Sequence, residues 1–199
     1  GFLNIKEIDF AVVLDTPIYT SKVAPLSAVE MEIGKNVAEL VEDGATLQLG
    51  IGAIPDAVAL NLKGHKHLGL HTEMWSNGAF ELIKSGVIDN SQKKFHQGIS
   101  TSSFIMGSRE LYDFIDDNME VLNFEADYTN FPINIMRNPK VTAINSAVEI
   151  ALTGQICADS IGHKIISGVG GQMDFMRAAA LSEKGKPILA LPSRTFKGI

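Results

Sequence analysis

One cysteine, Cys157, and one tryptophan are all that 199 residues contain of either type. A lone cysteine rules out an internal disulfide framework and any Cys-x-x-Cys metal site, and it favours a reducing compartment. No apolar run approaches the roughly 20 residues that a membrane-spanning helix needs. The leading GFLNIKEIDF lacks the basic, apolar and small-residue order of a signal peptide. No block of Lys or Arg stands out either. The 17 basic and 23 acidic residues are mixed along the chain and leave a net charge of −6, so neither nucleic acid nor a membrane surface is an expected partner. Internal repeats and low-complexity segments are missing too. With 45% hydrophobic residues the chain can bury a substantial core. The expectation is a soluble cytoplasmic protein with one main domain.

What is present alternates. DFAVVLDTPIYTSKVAP, broken by Pro17 and Pro25, reads as a leading strand and a linker over residues 1–24, with a boundary near Ala24. Ser27 and Glu30 then form a capping-box pattern, and Val29, Ile33, Val37 and Val41 recur at helical spacing. A helix over about 28–43 follows, closed by Gly44. ATLQLG is a strand, GIGAI a turn, and Pro55 suits the first turn of a helix that stops at Gly64. HLGLHTE and GAFELIKSG repeat the strand and helix, as do ISTSSFIMG, SRELYDFIDDN and MEVLNFE, and finally GQMDFMRAAALSEKG and PILALPS. This order indicates an α/β fold with an open, largely parallel sheet flanked by helices. Within it, VTAINSAVEIALTGQICADSIG reads as two strands around a Leu152-Thr153-Gly154-Gln155 turn, an antiparallel hairpin.

Ligands of such sheets bind beyond the carboxyl ends of the strands. Three segments should meet there: Gln48-Leu49-Gly50-Ile51-Gly52-Ala53-Ile54, Glu73-Met74-Trp75-Ser76-Asn77-Gly78, and Ser167 to Asp174 with Gly168, Gly170 and Gly171. Two are glycine-rich turns opening helices, a form that offers backbone N–H groups to an anion. The third brings a carboxylate, Glu73. A carboxylate facing preorganised N–H donors is a minimal kit for nucleophilic acyl chemistry.

Each feature also has a plainer reading. Gly50-Ile51-Gly52 is by itself a tight turn, without the third glycine of a dinucleotide fingerprint. Glu73 could be a solvated or capping carboxylate. His71 reads as a strand histidine with a structural partner, and His65 and His67 as surface-loop residues without a third metal ligand at suitable spacing. Met173, Phe175 and Met176 read as core residues of the last helix. Cys157 reads as a small apolar side chain.

Taken together, EDGATLQLGIGAIPDAV, LGLHTEMWSNGAFELIKSGVI, VTAINSAVEIALTGQICADSIG and SGVGGQMDFMRAA resemble the acetyl-CoA hydrolase/transferase group of family I CoA-transferases, over essentially the whole chain. The resemblance implies that Glu73 is the nucleophile. It implies coenzyme A contacts from Gln48, Leu49, Gly50, Ile51, Gly52, Val148, Gly170, Gly171 and Lys197. Ile54, Gly171 and Asn130 are implied to form the oxyanion and acyl pocket. Residues 25–199 would then be a C-terminal catalytic domain whose N-terminal half is missing here. Expected partners are an acyl-CoA, a small carboxylate, that missing half and further copies of the chain. Coenzyme A enters as a substrate, with no permanently bound cofactor and no metal. The implied reaction is ping-pong transfer of CoA through a glutamyl-CoA thioester. Acyl-CoA hydrolysis at the same glutamate, or a ligand-binding module without chemistry, stays open as an alternative.

Overall fold

The computed structural model describes residues 4–21 and 25–194. The boundary expected at Ala24 lies outside them. The expected leading strand does not form. After one 3-10 turn at Ile5–Glu7, residues 8–21 form neither helix nor strand and are mostly exposed. Among the described residues, hydrogen bonds that link them to the body are Ser21 N–H to Gly107 O at 3.0 Å and the Tyr112 hydroxyl to Tyr19 O at 2.9 Å.

Helix α1 (Ala28–Ala38) starts at the capping box read from the sequence, with Glu30 N–H donating to Ser27 Oγ and Ser27 N–H donating to Glu30 Oε2. It stops short of residue 43. Leu40 and Val41 bond three residues back, to Val37 O and Ala38 O, and the tightened turn ends the helix. Gly44 lies beyond it, in the turn into β1, at φ +74.

In chain order there follow β1 (Thr46–Leu49), α2 (Ala53–Asn61), β2 (Gly69–Leu70), β3 (Met74–Trp75), α3 (Asn77–Lys84), β4 (Ser100–Ser102), β5 (Phe104–Ile105), α4 (Arg109–Ile115) and β6 (Val121–Asn123). Next come two short helices that the sequence reading did not anticipate, α5 (Ala126–Thr129) and α6 (Pro132–Met136), and then β7 (Val141–Ser146). The hairpin β8 (Glu149–Ile150) and β9 (Ile156–Cys157) precedes a second hairpin, β10 (Ser160–Ile161) and β11 (Lys164–Ile165). Helix α7 (Gln172–Leu181) and β12 (Lys186–Ala190) complete the series.

The main sheet has the order β12-β7-β1-β2, and its pairs are parallel, with Thr46 opposite both Val141 and Gly69. A parallel bridge between His71 and Thr101 continues it towards β4, which pairs with β6. Helices cover both faces. On β7, Val141 and Ala143 pack with Phe175, Ala178 and Ala179 of α7, while Ile144 joins the cluster of Val37, Val58 and Phe80 from α1, α2 and α3. Gly34 lets α1 close on α2, since a β-carbon there would lie 2.6 Å from the Ala57 carbonyl carbon.

Two sequence expectations are corrected here. The Leu152–Gln155 turn does join a hairpin, with Glu149 opposite Cys157, but VTAINS is not its arm. Those residues form β7, at the centre of the main sheet. The strand read over HLGLHTE shortens to β2, a further strand, β3, follows directly after Glu73, and ISTSSFIMG is broken at Ser103 into β4 and β5.

Candidate active site

The sheet order reverses between β1 and β7: β2 lies on one side and β12 on the other. At such a switch the connections leave in opposite directions and open a crevice beyond the strand ends. Its floor is a pair of amides. Gln48 Nε2 donates to Asn145 Oδ1 at 3.2 Å, and Asn145 Nδ2 donates to Gln48 Oε1 at 2.7 Å. Both side chains are buried, and each supplies the partner that a buried amide requires. Gly50 leaves β1 directly against this pair. Its N–H donates to Ile144 O at 2.8 Å, and a β-carbon on it would lie 2.8 Å from Asn145 Oδ1. Gly52 opens α2 at φ +118 and ψ −177, with no side-chain cap on the helix. That backbone region is essentially closed to other residues.

Glu73 stands in the break between β2 and β3. Its carbonyl oxygen accepts from two successive N–H groups, Ser103 at 2.9 Å and Phe104 at 3.1 Å. The register is the same on either side, with His71 opposite Thr101 and Met74 opposite Phe104, so the pairing is interrupted at Thr72 and Glu73 without an inserted residue. Thr72, fully buried, pins the break. Its Oγ1 accepts from Leu49 N–H at 3.3 Å and lies 2.9 Å from Met74 O, so the end of β1 is tied to the far side of the break.

The half-buried Glu73 carboxylate is held on one side by Asn130, whose Nδ2 donates to Oε2 at 2.7 Å. On the other side is Gly171. A β-carbon there would fall 2.5 Å from Asn130 Nδ2 and closer still to Glu73 Oε2. Gly171 has φ −74, which any residue adopts, so what requires glycine is space. It is also the N-cap of α7, and no side chain caps that helix. The first-turn N–H groups of α7 therefore begin beside the carboxylate, where orphan donors and the helix dipole favour negative charge. Gln48, Leu49, Gly50, Ile51, Glu73, Met74, Asn145 to Val148, Ala158, Ser167, Gly168, Gly170, Gly171, Gln172 and Phe175 line a cavity of about 450 Å³. That volume lies within the range of small-molecule sites.

A family model described as the acetyl-CoA hydrolase/transferase C-terminal domain matches residues 107–199. The 4-hydroxybutyrate coenzyme A transferase of Clostridium kluyveri is 51% identical over 198 residues, covering 100% of this chain and 46% of the relative. The chain belongs to the acetyl-CoA hydrolase/transferase family. A succinyl-CoA:acetate/propanoyl-CoA:succinate CoA transferase of Fasciola hepatica is 52% identical over 182 residues, covering 90% of this chain and 38% of the relative. Among solved structures, 4-hydroxybutyrate CoA-transferase from Porphyromonas gingivalis superimposes with a TM-score of 0.82 at 43% identity, covering 93% of this chain and 44% of that one. The chain thus spans less than half the length of the curated relatives it matches.

Of the residues to which the family resemblance points, Gln48, Leu49, Gly50, Ile51, Glu73, Val148, Gly170 and Gly171 line one cavity, and Asn130 reaches it through Glu73. Gly52 stands just outside the lining. Ile54 is not among the residues lining this cavity: its side chain is 7% exposed and packs in the core cluster with Val58 and Leu62. Lys197 lies outside the described residues. Met173, read as core, is 71% exposed, whereas Phe175 is buried and Met176 partly so. Reading the sequence missed Asn145 and Thr72. A polar residue inside the apolar run VTAIN was the available signal for Asn145. Thr72 gave none, because a threonine fits any strand.

Proposed function

We propose that this chain carries the nucleophile and much of the coenzyme A site of a CoA-transferase that moves CoA between a short-chain acyl-CoA and a carboxylate such as acetate. One observation carries the reading: the Glu73 carboxylate is wedged between the Asn130 amide and the Gly171 backbone at the wall of the cavity, beside an uncapped helix N-terminus.

The chemistry proceeds by exchange at one glutamate. A Glu73 carboxylate oxygen attacks the thioester carbonyl, the carbon–sulfur bond breaks, and an acyl-glutamyl anhydride and CoA thiolate result. The thiolate attacks the glutamyl carbonyl and expels the first acid as its carboxylate, leaving a glutamyl-CoA thioester. An incoming carboxylate reverses both steps, so a new acyl-CoA leaves and Glu73 is regenerated. Each addition places negative charge on a carbonyl oxygen, which backbone N–H donors stabilise without reorganisation. Asn130 holds Oε2 and thereby orients the carboxylate for attack. Coenzyme A enters as a substrate, and no metal or redox group takes part in these steps. Further sequence of the complete protein, corresponding to the additional length of the relatives, is proposed to close the acyl end of the cavity.

Acyl-CoA hydrolysis is the second reading, favoured by the exposure of the carboxylate to an open cavity. Water in place of the incoming acid then cleaves the glutamyl thioester. Steady-state kinetics of the complete protein, with butyryl- or 4-hydroxybutyryl-CoA and varied acetate, test both. Ping-pong patterns with acetate-dependent turnover, abolished in Glu73→Gln, are expected. CoA release at the same rate without any carboxylate would establish hydrolysis instead, and an active Glu73→Gln would refute both.

A further inference from the structure

His71 stands two residues before Glu73 and is 1% exposed. Its Nε2 lies 2.8 Å from Thr129 O. A carbonyl accepts and does not donate, so Nε2 carries the proton and Nδ1 is bare. Nδ1 has no partner among the described residues. Phe95 stacks on the ring at 6.4 Å between centroids and Phe175 meets it edge-on at 6.2 Å, which fixes its plane. Burial pulls its pKa down to about 4, so the imidazole is neutral at physiological pH.

The single bond that the His71 ring makes among the described residues is well placed. Thr129 ends α5, a helix of four residues with no side-chain bond at its N-cap, and Asn130 is its C-cap. A helix this short has little stability of its own, and its last carbonyls are orphan acceptors. His71 satisfies one of them, at the residue adjoining Asn130. The result is a closed ring. It runs along the backbone from Glu73 to His71, across Nε2–H to Thr129 O, through the Thr129–Asn130 peptide, and back from Asn130 Nδ2 to Glu73 Oε2 at 2.7 Å. A histidine that only filled the core would leave a bare buried nitrogen with nothing gained over leucine.

We infer that His71 is a positioning residue for the nucleophile: as the Nε2–H tautomer it locks the Thr129–Asn130 turn, so that the Asn130 amide holds one Glu73 oxygen at a fixed place. This rests on the reading of Glu73 as nucleophile given above.

The test uses the complete protein and four variants: His71→Gln, His71→Asn, Asn130→Ala and His71→Asn combined with Asn130→Ala. His71→Asn is too short to reach Thr129 O. It should lower kcat by on the order of 10-fold to 10²-fold, the scale of a small misplacement of a reacting group, while KM for acyl-CoA stays near the parent value. His71→Gln, whose amide can extend to the carbonyl, should recover most of that loss. The double variant should be no worse than Asn130→Ala alone, because both changes break one linkage. Multiplying effects would overturn the inference. A second readout does not need activity. In 1H–15N NMR, the Asn130 side-chain amide of the parent should show one proton shifted by the carboxylate, lost in His71→Asn and kept in His71→Gln. An Asn130 signal unchanged in His71→Asn would overturn the link even in a protein without transferase activity. Activity retained in Glu73→Gln would instead remove the nucleophile reading and leave the NMR result to decide the ring.

Discussion

Gly171 approaches Glu73 so closely that no side chain fits between them: a β-carbon on Gly171 would overlap Glu73 Oε2 and lie 2.5 Å from Asn130 Nδ2. Because the backbone of Gly171 is ordinary, Gly171→Ala asks only for space, and the end of the Glu73 side chain is what yields. Thermal stability should therefore change little, by about 1 kcal/mol or less. Turnover should fall on the order of 10²-fold, because pushing Oε2 aside moves the carboxylate that is proposed to attack. Near-parent turnover would place the attack elsewhere.

Gly52 presents the opposite case. Nothing lies within 4 Å of where its β-carbon would be, but its φ is +118. Gly52→Ala should cost about 1–3 kcal/mol through backbone strain alone, read as a lower urea midpoint with an unchanged m-value. A variant as stable as the parent would show that the turn before α2 has room to relax.

Thr72 holds the break in the strand through its hydroxyl. Thr72→Val keeps the shape but leaves Leu49 N–H without its acceptor, at a cost of about 1–3 kcal/mol. Thr72→Ser should retain most of the stability. Equal loss in both variants would assign the role to the methyl group.

Lys93 is 2% exposed. Its ammonium is ringed by Leu70 O at 2.9 Å, Ile99 O at 2.6 Å and Thr101 Oγ1 at 3.2 Å. Burial pushes its pKa down from 10.5 to about 7. Between those values the unfolded chain binds a proton that the folded chain does not, so this group makes stability rise with pH from about 7 towards 10.5, and below about 7 its burial is most costly. Urea midpoints measured across that window should climb in the parent and climb less in Lys93→Met. Parallel pH profiles would show that Lys93 does not titrate on unfolding.

Much of the fold was legible. Capping residues, glycines and strand-helix alternation at Ser27, Glu30, Gly52 and Pro55 are local signals, and they marked α1, β1 and α2 to within a few residues. The parallel sheet followed from that alternation. What was hidden depends on partners far along the chain. Beside the break, the Glu73 carbonyl accepts from Ser103 and Phe104, about 30 residues away in sequence, and a strand pattern such as HLGLHTE contains no trace of that pairing. Helices α5 and α6 are too short for periodicity to register. In the site, Glu73 and the glycines were visible as residue types that a buried strand or a packed helix start does not favour. Asn145 and Thr72 were not, since their roles exist only once β1, β7 and the strand break are side by side. The family resemblance pointed to Ile54 without saying which way its side chain packs, and that side chain lies in the core cluster.

The central claim is a covalent one and is tested most directly by mass spectrometry of the complete protein after incubation with acyl-CoA and rapid acid quench. The tryptic peptide 67–84, bounded by Lys66 and Lys84 and carrying Glu73, should gain the mass of coenzyme A less one water, the increment of a thioester. Borohydride treatment should convert that adduct to the alcohol at Glu73, and Glu73→Gln should show neither product. A protein that turns over acyl-CoA while peptide 67–84 stays unmodified, or that forms its adduct on another residue, would contradict the account.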